Sequence, residues 1–250
     1  MKRRLLIWVP ILLVALAGVA LALPASPFYL PDFWLKGGHH DGHSTRYWIK
    51  QLESPDVKAR TEAIHALGAI GADAEPAVPA LADILTKDPE PVPRFEAAMA
   101  LGKMRPASRT AVPALAAALT DKDLRVRMNA VIALAGLATD SRPAVPALTR
   151  TLQDKTNETN LNVFSFTIRE EAAIALGRAS AGTPEAVAVL TETVKSPSSP
   201  EPLKQAAVRA LGTIGPEARP AVPVLKSMLQ DKGPVDPVFV DEALKKIEGK

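Results

Sequence analysis

The chain of 250 residues contains no cysteine. That excludes disulfides, thiolate metal sites and cysteine nucleophiles at once. Aromatic residues make up only 4% of it, so any core must be built from Ala, Val, Leu and Ile. Charge of one sign is also scarce. There are 30 Lys and Arg against 27 Asp and Glu, and Lys2, Arg3 and Arg4 account for the whole surplus. The remainder offers no net field for nucleic acid, and no basic stripe is interleaved with aromatics. P-loop, metal-protease helix and Ser-His-Asp arrangements are not visible. Proline, by contrast, is abundant, with 23 residues. An apolar content of 47% argues against a disordered Pro-rich chain, so these prolines punctuate something regular.

Long uncharged runs occur once, at Leu5–Leu23, directly after the three cations. Its 19 residues are about the minimum for a membrane-spanning helix. The cations orient such a helix with the rest of the chain outside the cytoplasm, on the periplasmic side. Residues 1–25 are therefore expected to be a membrane anchor or signal peptide. Ala20-Leu21-Ala22 resembles a cleavage site, so secretion after signal cleavage is the alternative. Phe28, Tyr29, Phe33 and Trp34 suit a membrane interface. They fall in a linker expected over 26–43.

Beyond it the chain repeats. AVPAL stands at Ala77–Leu81, Ala111–Leu115 and Ala144–Leu148, with AVAVL at Ala186–Leu190 and AVPVL at Ala221–Leu225. A second motif precedes each copy: RTEAIHALG from Arg60, RFEAAMALG from Arg94, RMNAVIALA from Arg127, REEAAIALG from Arg169 and KQAAVRALG from Lys204. Both series are spaced by 34, 33, 42 and 35 residues. Each unit reads as two helices. Ala63, Ala66 and Leu67 form one apolar stripe of the first. The second opens at AVPAL, where proline fits a first helical turn. Its core residues are Leu81 and Leu85, with Leu115 and Leu119, Leu148 and Leu152, Leu190 and Val194, and Leu225 and Leu229 as counterparts. Gly68, Gly102, Gly177 and Gly212 either admit a neighbouring backbone or prepare the helix end. One pair cannot bury its apolar face alone, so the copies must stack. YWIKQL, with Trp48 and Leu52, and DEALKKI, with Ala243 and Ile247, read as half-repeats at the two ends.

The patterns A-x-x-A-L-G-x-I-G and A-V-P-x-L-x-x-x-L resemble HEAT repeats of the short, Ala-rich type first described around phycobilin lyases. The resemblance covers about Ser44 to Glu248. It implies an all-α, right-handed solenoid over 44–250, of about five helix pairs with half-repeats at both ends, and the run Leu5–Leu23 is expected to add one N-terminal hydrophobic helix before it. Deoxyhypusine hydroxylase, a HEAT-like enzyme, holds iron with paired His-Glu motifs on its first helices. The matching positions here, Thr61-Glu62, Phe95-Glu96, Met128-Asn129, Glu170-Glu171 and Gln205-Ala206, carry no histidine.

Three of the four histidines lie in GGHHDGHS, at His39, His40 and His43, around Asp41. Imidazoles and a carboxylate are good metal ligands, yet the adjacent glycines read as a flexible tether. Ser44 is expected to cap the following helix. Asp56, Glu90 and Asp123 each stand four residues before an arginine, which suits capping of a helix start with an ion pair one turn on. The 42-residue spacing marks an insertion of about eight residues carrying Phe164 and Phe166. Asn157-Glu158-Thr159 within it is formally a glycosylation sequon.

The second helices are expected to line the concave face and to present Asp83, Arg150, Glu192 and Lys226 to a partner, with Phe164 and Phe166 beside them. The expected function is a non-catalytic scaffold that docks a protein partner outside the cytoplasm. It needs no cofactor, contacts the membrane through the N-terminal helix and binds no nucleic acid. The alternative is an enzyme or enzyme-associated subunit with a metal or cofactor near His39, His40 and His43.

Overall fold

The computed structural model describes residues 38–158, 166–179, 183–230 and 235–249. The expected membrane segment lies outside the described residues, as do Phe164 and most of the linker. Among the described residues no helix is long and apolar enough to cross a membrane.

A short hairpin, β1 (His39–His40) and β2 (His43–Ser44), leads into α1 (Thr45–Gln51). Five helix pairs follow: α2 (Val57–Ile70) with α3 (Val78–Lys87), α4 (Pro91–Lys103) with α5 (Val112–Ala118), α6 (Leu124–Leu137) with α7 (Val145–Gln153), α8 (Ile168–Ala179) with α9 (Pro184–Lys195), and α10 (Glu201–Ile214) with α11 (Val222–Gln230). Helix α12 (Pro237–Glu248) closes the array. This is an all-helical repeat solenoid with a half-repeat at each end.

Local chemistry sets the helix boundaries. Ser44, Asp56, Asp123 and Asp236 accept from the backbone N–H of Tyr47, Lys58, Arg125 and Val238. Each satisfies a donor that the first turn leaves unpaired. Glu90 makes no such bond. Pro79, Pro113 and Pro146 occupy first-turn positions of α3, α5 and α7, where a missing N–H costs nothing. At the ends of α2 and α10, Gly71 and Gly215 turn the chain with φ of 71° and 77°. The same place after α6 is held by Ala138, at φ 50°.

The core is one continuous apolar layer. Leu81, Leu85, Leu115, Leu119, Leu148 and Leu152 are all fully buried. At the margins burial falls off. Trp48 and Leu229 are half-buried, because α1 and α11 have a second-helix neighbour on one side only.

Successive first helices make extensive contact, whereas successive second helices touch much less, least of all from α5 onward. Glycine and alanine set this difference. A Cβ added to Gly68 would lie 3.2 Å from the Cα of Ala100, and one on Gly177 would lie 2.8 Å from the Cα of Ala210. Of the two roles open to these glycines, close backbone approach is the one they fill. A stack that is tight on one side and open on the other bends toward the tight side. The concave face is therefore lined by the first helices α2, α4, α6, α8, α10 and α12, which corrects the expectation that the second helices line it.

The repeated arginines also differ from expectation. They do not pair with the acid one turn earlier. Arg60 forks onto Asp88 at 2.8 and 3.1 Å, and Arg94 onto Asp121 at 2.8 and 2.9 Å. Each also donates to carbonyls of the loop before its own helix, Ser54 and Pro55 for Arg60, Asp88 and Pro89 for Arg94. At the insertion Arg127 donates instead to Oδ1 of Asn157, 2.9 Å away. Asn157 is 1% exposed, so in the folded chain its amide is not open to a glycosylating enzyme.

Candidate functional site

The histidine cluster does not converge. In the antiparallel hairpin His40 faces His43 and His39 faces Ser44. Neighbouring strand residues point to opposite sides, so His39 is turned away from the other two. Asp41 and Gly42 form the turn, both at positive φ. The His43 ring stacks on Tyr47 with centroids 3.9 Å apart and meets the edge of Trp48. The Trp48 indole N–H donates to the His40 carbonyl, and the Thr45 hydroxyl to that of Gly38. A Cβ on Gly38 would collide with Ile70. Residues 38–44 thus pack onto α1 and α2, which corrects the reading of this stretch as a flexible tether. Among the described residues no group of three or more His, Asp or Glu is placed to hold a metal ion.

The second-helix residues are dispersed. Asp83 pairs with Lys87 and Glu192 with Lys195, both at 2.9 Å within one helix. Lys226 pairs with Glu248 across α11 and α12 at 2.9 Å. Arg150 is exposed and lines a shallow depression of about 390 Å³ at the helix ends, beside Asp154 and Asn157. Phe166 is half-buried against the core. One residue on each of four helices of the open side makes no common site.

The concave face is organised in rows. Residues at i, i+3 and i+7 share a side of a helix. The first row runs Glu62, Glu96, Asn129, Glu171, Ala206, Phe239. The second runs His65, Met99, Ile132, Ile174, Arg209, Glu242. The third, the residue that follows each ALG or its equivalent, runs Ala69, Lys103, Gly136, Arg178, Thr213, Lys246. The middle row is apolar at its centre, and Met99, Ile132 and Ile174 are half-buried there.

The two flanks differ electrically. On the first row, Glu96 is largely buried and its Oε2 lies 2.9 Å from Nε2 of His65 on the preceding helix. Burial raises the Glu171 carboxyl above its usual pKa, the Arg178 charge opposes that, and Glu170 adds to it. On the third row the side of Gly136 is open, and the guanidinium of Arg105 fills the space a Cβ would take. Arg105 donates from Nε to the Gly102 carbonyl at 2.6 Å, and Arg178 approaches the Ala135 carbonyl at 3.5 Å. Both cations gather at the C-terminal end of α6, where the helix dipole is negative. Two further guanidinium groups lie over rings, Arg125 over Phe95 at 4.9 Å and Arg209 over Phe239 at 4.2 Å.

Two depressions follow these rows. One of about 300 Å³ spans α4, α6 and α8. The other, of about 330 Å³, spans α8, α10 and α12. Arg178 lines both, so the two depressions adjoin at that side chain and together form the groove of the concave face. The post-ALG position is visible in the sequence, but nothing in the sequence alone says that it is exposed and in line from helix to helix.

A family model for HEAT repeats matches residues 44–102, 78–163 and 161–236. The chain belongs to the HEAT-repeat family. The crystal structure of an engineered protein is similar over 82% of this chain and 95% of its own, with 26% identity and a TM-score of 0.60. A designed armadillo repeat protein matches over 82% of this chain and 100% of its own, with 21% identity and a TM-score of 0.56. Another, in complex with a (KR)4 peptide, matches over 80% of this HEAT-repeat chain and 98% of its own, with 19% identity and a TM-score of 0.58. The two armadillo likenesses show the fold alone. No curated protein matches the sequence.

Proposed function

We propose that this HEAT-repeat protein is a non-catalytic scaffold that holds a polypeptide partner in the groove along its first helices. The observation that carries the reading is the groove itself. Half-buried Met99, Ile132 and Ile174 offer apolar contact at its centre, and charged side chains flank them. Interfaces that bind and release are built this way, with an apolar middle and a polar rim. The likeness to a designed repeat protein bound to a peptide is in keeping with it. The sequence at Leu5–Leu23 favours a scaffold tethered at the outer face of a membrane, with release after cleavage as the second reading.

A photo-cross-linking residue at Ile132, with a second variant carrying it at Arg150, tests the groove in the full-length chain in cells. A polypeptide captured from position 132 is the expected result. Capture from position 150 alone would transfer the function to the second-helix side, where Asp83, Glu192 and Lys226 also lie, and would overturn the groove.

A further inference from the structure

The cations of the concave face stand on alternate rungs. Along the third row small and basic residues take turns: Ala69, Lys103, Gly136, Arg178, Thr213, Lys246. Arg105 adds to this rail beside Gly136, and Arg209 stands one turn away from Thr213. Among the described residues none of Lys103, Arg105, Arg178, Arg209 and Lys246 has a carboxylate within ion-pair distance. On the open side Asp83, Glu192 and Lys226 are each paired off, and Arg150 stands alone on its helix. In a chain with no charge surplus beyond residue 4, unpaired cations have been collected in one groove.

Given that the groove binds a polypeptide, we propose that its ligand is an extended acidic segment with interleaved apolar side chains. The carboxylates lie along the basic rail, and the apolar groups rest on Met99, Ile132 and Ile174. On the opposite flank Glu96 lies against His65 and burial disfavours the charged form of Glu171, which leaves Glu242 as the exposed carboxylate at the α12 end of the groove. A complementary field of this kind steers encounter and selects the partner more than it adds raw affinity. Helices α4 to α12 are separated by four spacings of about 8–10 Å. An extended segment of about ten to twelve residues, at about 3.3 Å each, covers that distance. Nucleic acid fits less well. The groove presents an apolar strip where bases would need ring faces, and Phe95 and Phe239 are already covered by Arg125 and Arg209.

Fluorescence anisotropy on the full-length chain in non-ionic detergent tests this with labelled (Asp-Leu)6, labelled (Lys-Leu)6 and a labelled 12-nucleotide single strand. (Asp-Leu)6 should bind at least tenfold more tightly than the other two probes. The combined Lys103→Glu, Arg178→Glu and Lys246→Glu variant should lose at least tenfold of that affinity. Combined Lys87→Glu, Arg150→Glu and Lys195→Glu, on the open side, should change it less than twofold. A milder Arg178→Gln variant with unchanged thermal unfolding should weaken binding in the same direction. Equal binding of the two peptides, preference for the oligonucleotide, or equal loss from both triple variants would overturn the proposal. The cross-link at position 132 separates this from the function itself. A captured partner whose bound segment is basic keeps the groove and removes the acidic ligand, whereas no capture from 132 removes both.

Discussion

Arg94 reaches across 27 positions of sequence to hold both carboxylate oxygens of Asp121, at 2.8 and 2.9 Å. The Arg94 side chain is 6% exposed and that of Asp121 14%. This pair, with Arg60 and Asp88 before it, joins the two ends of a repeat and binds the loop between repeats. The hydrogen bond to Asp121 raises the Arg94 pKa further, so the guanidinium stays charged at any working pH.

Removing one partner leaves the other buried and charged. Arg94→Ala should cost about 3–5 kcal/mol, read from urea unfolding. The double variant Arg94→Leu, Asp121→Leu should cost much less than the sum of the single changes, because neither charge is then left alone. Additive costs would show that the pair is not coupled.

The close approach of first helices predicts unequal tolerance to one methyl group. A Cβ on Gly177 meets the Cα of Ala210 at 2.8 Å, whereas on Gly102 it meets Ala133 at 3.4 Å, an ordinary contact. Gly177→Ala should therefore cost about 1–3 kcal/mol through overpacking. Gly102→Ala should be close to neutral. Thermal unfolding of the two variants side by side checks this, and equal effects would mean that α8 and α10 are not so tightly packed.

Ala138 holds a backbone conformation that Gly71 and Gly215 supply at equivalent helix ends. Its φ of 50° crowds the Cβ against the backbone. Ala138→Gly should relieve about 1 kcal/mol of strain. In a chain of this size that raises Tm by about 2–4 °C. A lowered Tm would refute the strain.

Two carboxylates respond to pH with opposite signs. The hydrogen bond from Arg125 holds the Asp123 carboxyl below its usual pKa. Its contribution to stability is therefore present above the ordinary aspartate value, about 3.9, and is lost as pH falls through the folded value. Glu171 is shifted the other way by burial. Its contribution is full below the ordinary glutamate value and is lost as pH rises through the raised one. At pH 7 Asp123→Asn should lower Tm and Glu171→Gln should raise it. Both differences should shrink by pH 3.5, and differential scanning calorimetry at the two pH values reads them.

Much of the architecture was legible because local rules act over short distances. The spacing of AVPAL and ALG marked five pairs and two half-repeats. The aspartates and prolines marked where helices begin, and the leucine stripe of the second helices marked the core. Pairings across the stack were not legible in the same way. The i, i+4 rule offered Asp56, Glu90 and Asp123 as partners for the arginines, but the side chains prefer acids about 28 positions away that come within reach only after two helices fold back. The histidines looked like a ligand set by proximity in sequence, and strand alternation separated them.

The sequence by itself determined that this is a repeating array of small-sided helix pairs, since periodicity and glycine, alanine and proline placement are properties of one chain segment at a time. Tertiary structure alone decided which side is concave. That depends on glycine on one helix meeting alanine on the next, a distance with no counterpart along the chain. It also decided that Lys103, Arg178 and Lys246, each unremarkable in its own repeat, share a row. Stacking in register makes one surface of residues that the chain keeps 75 and 68 positions apart.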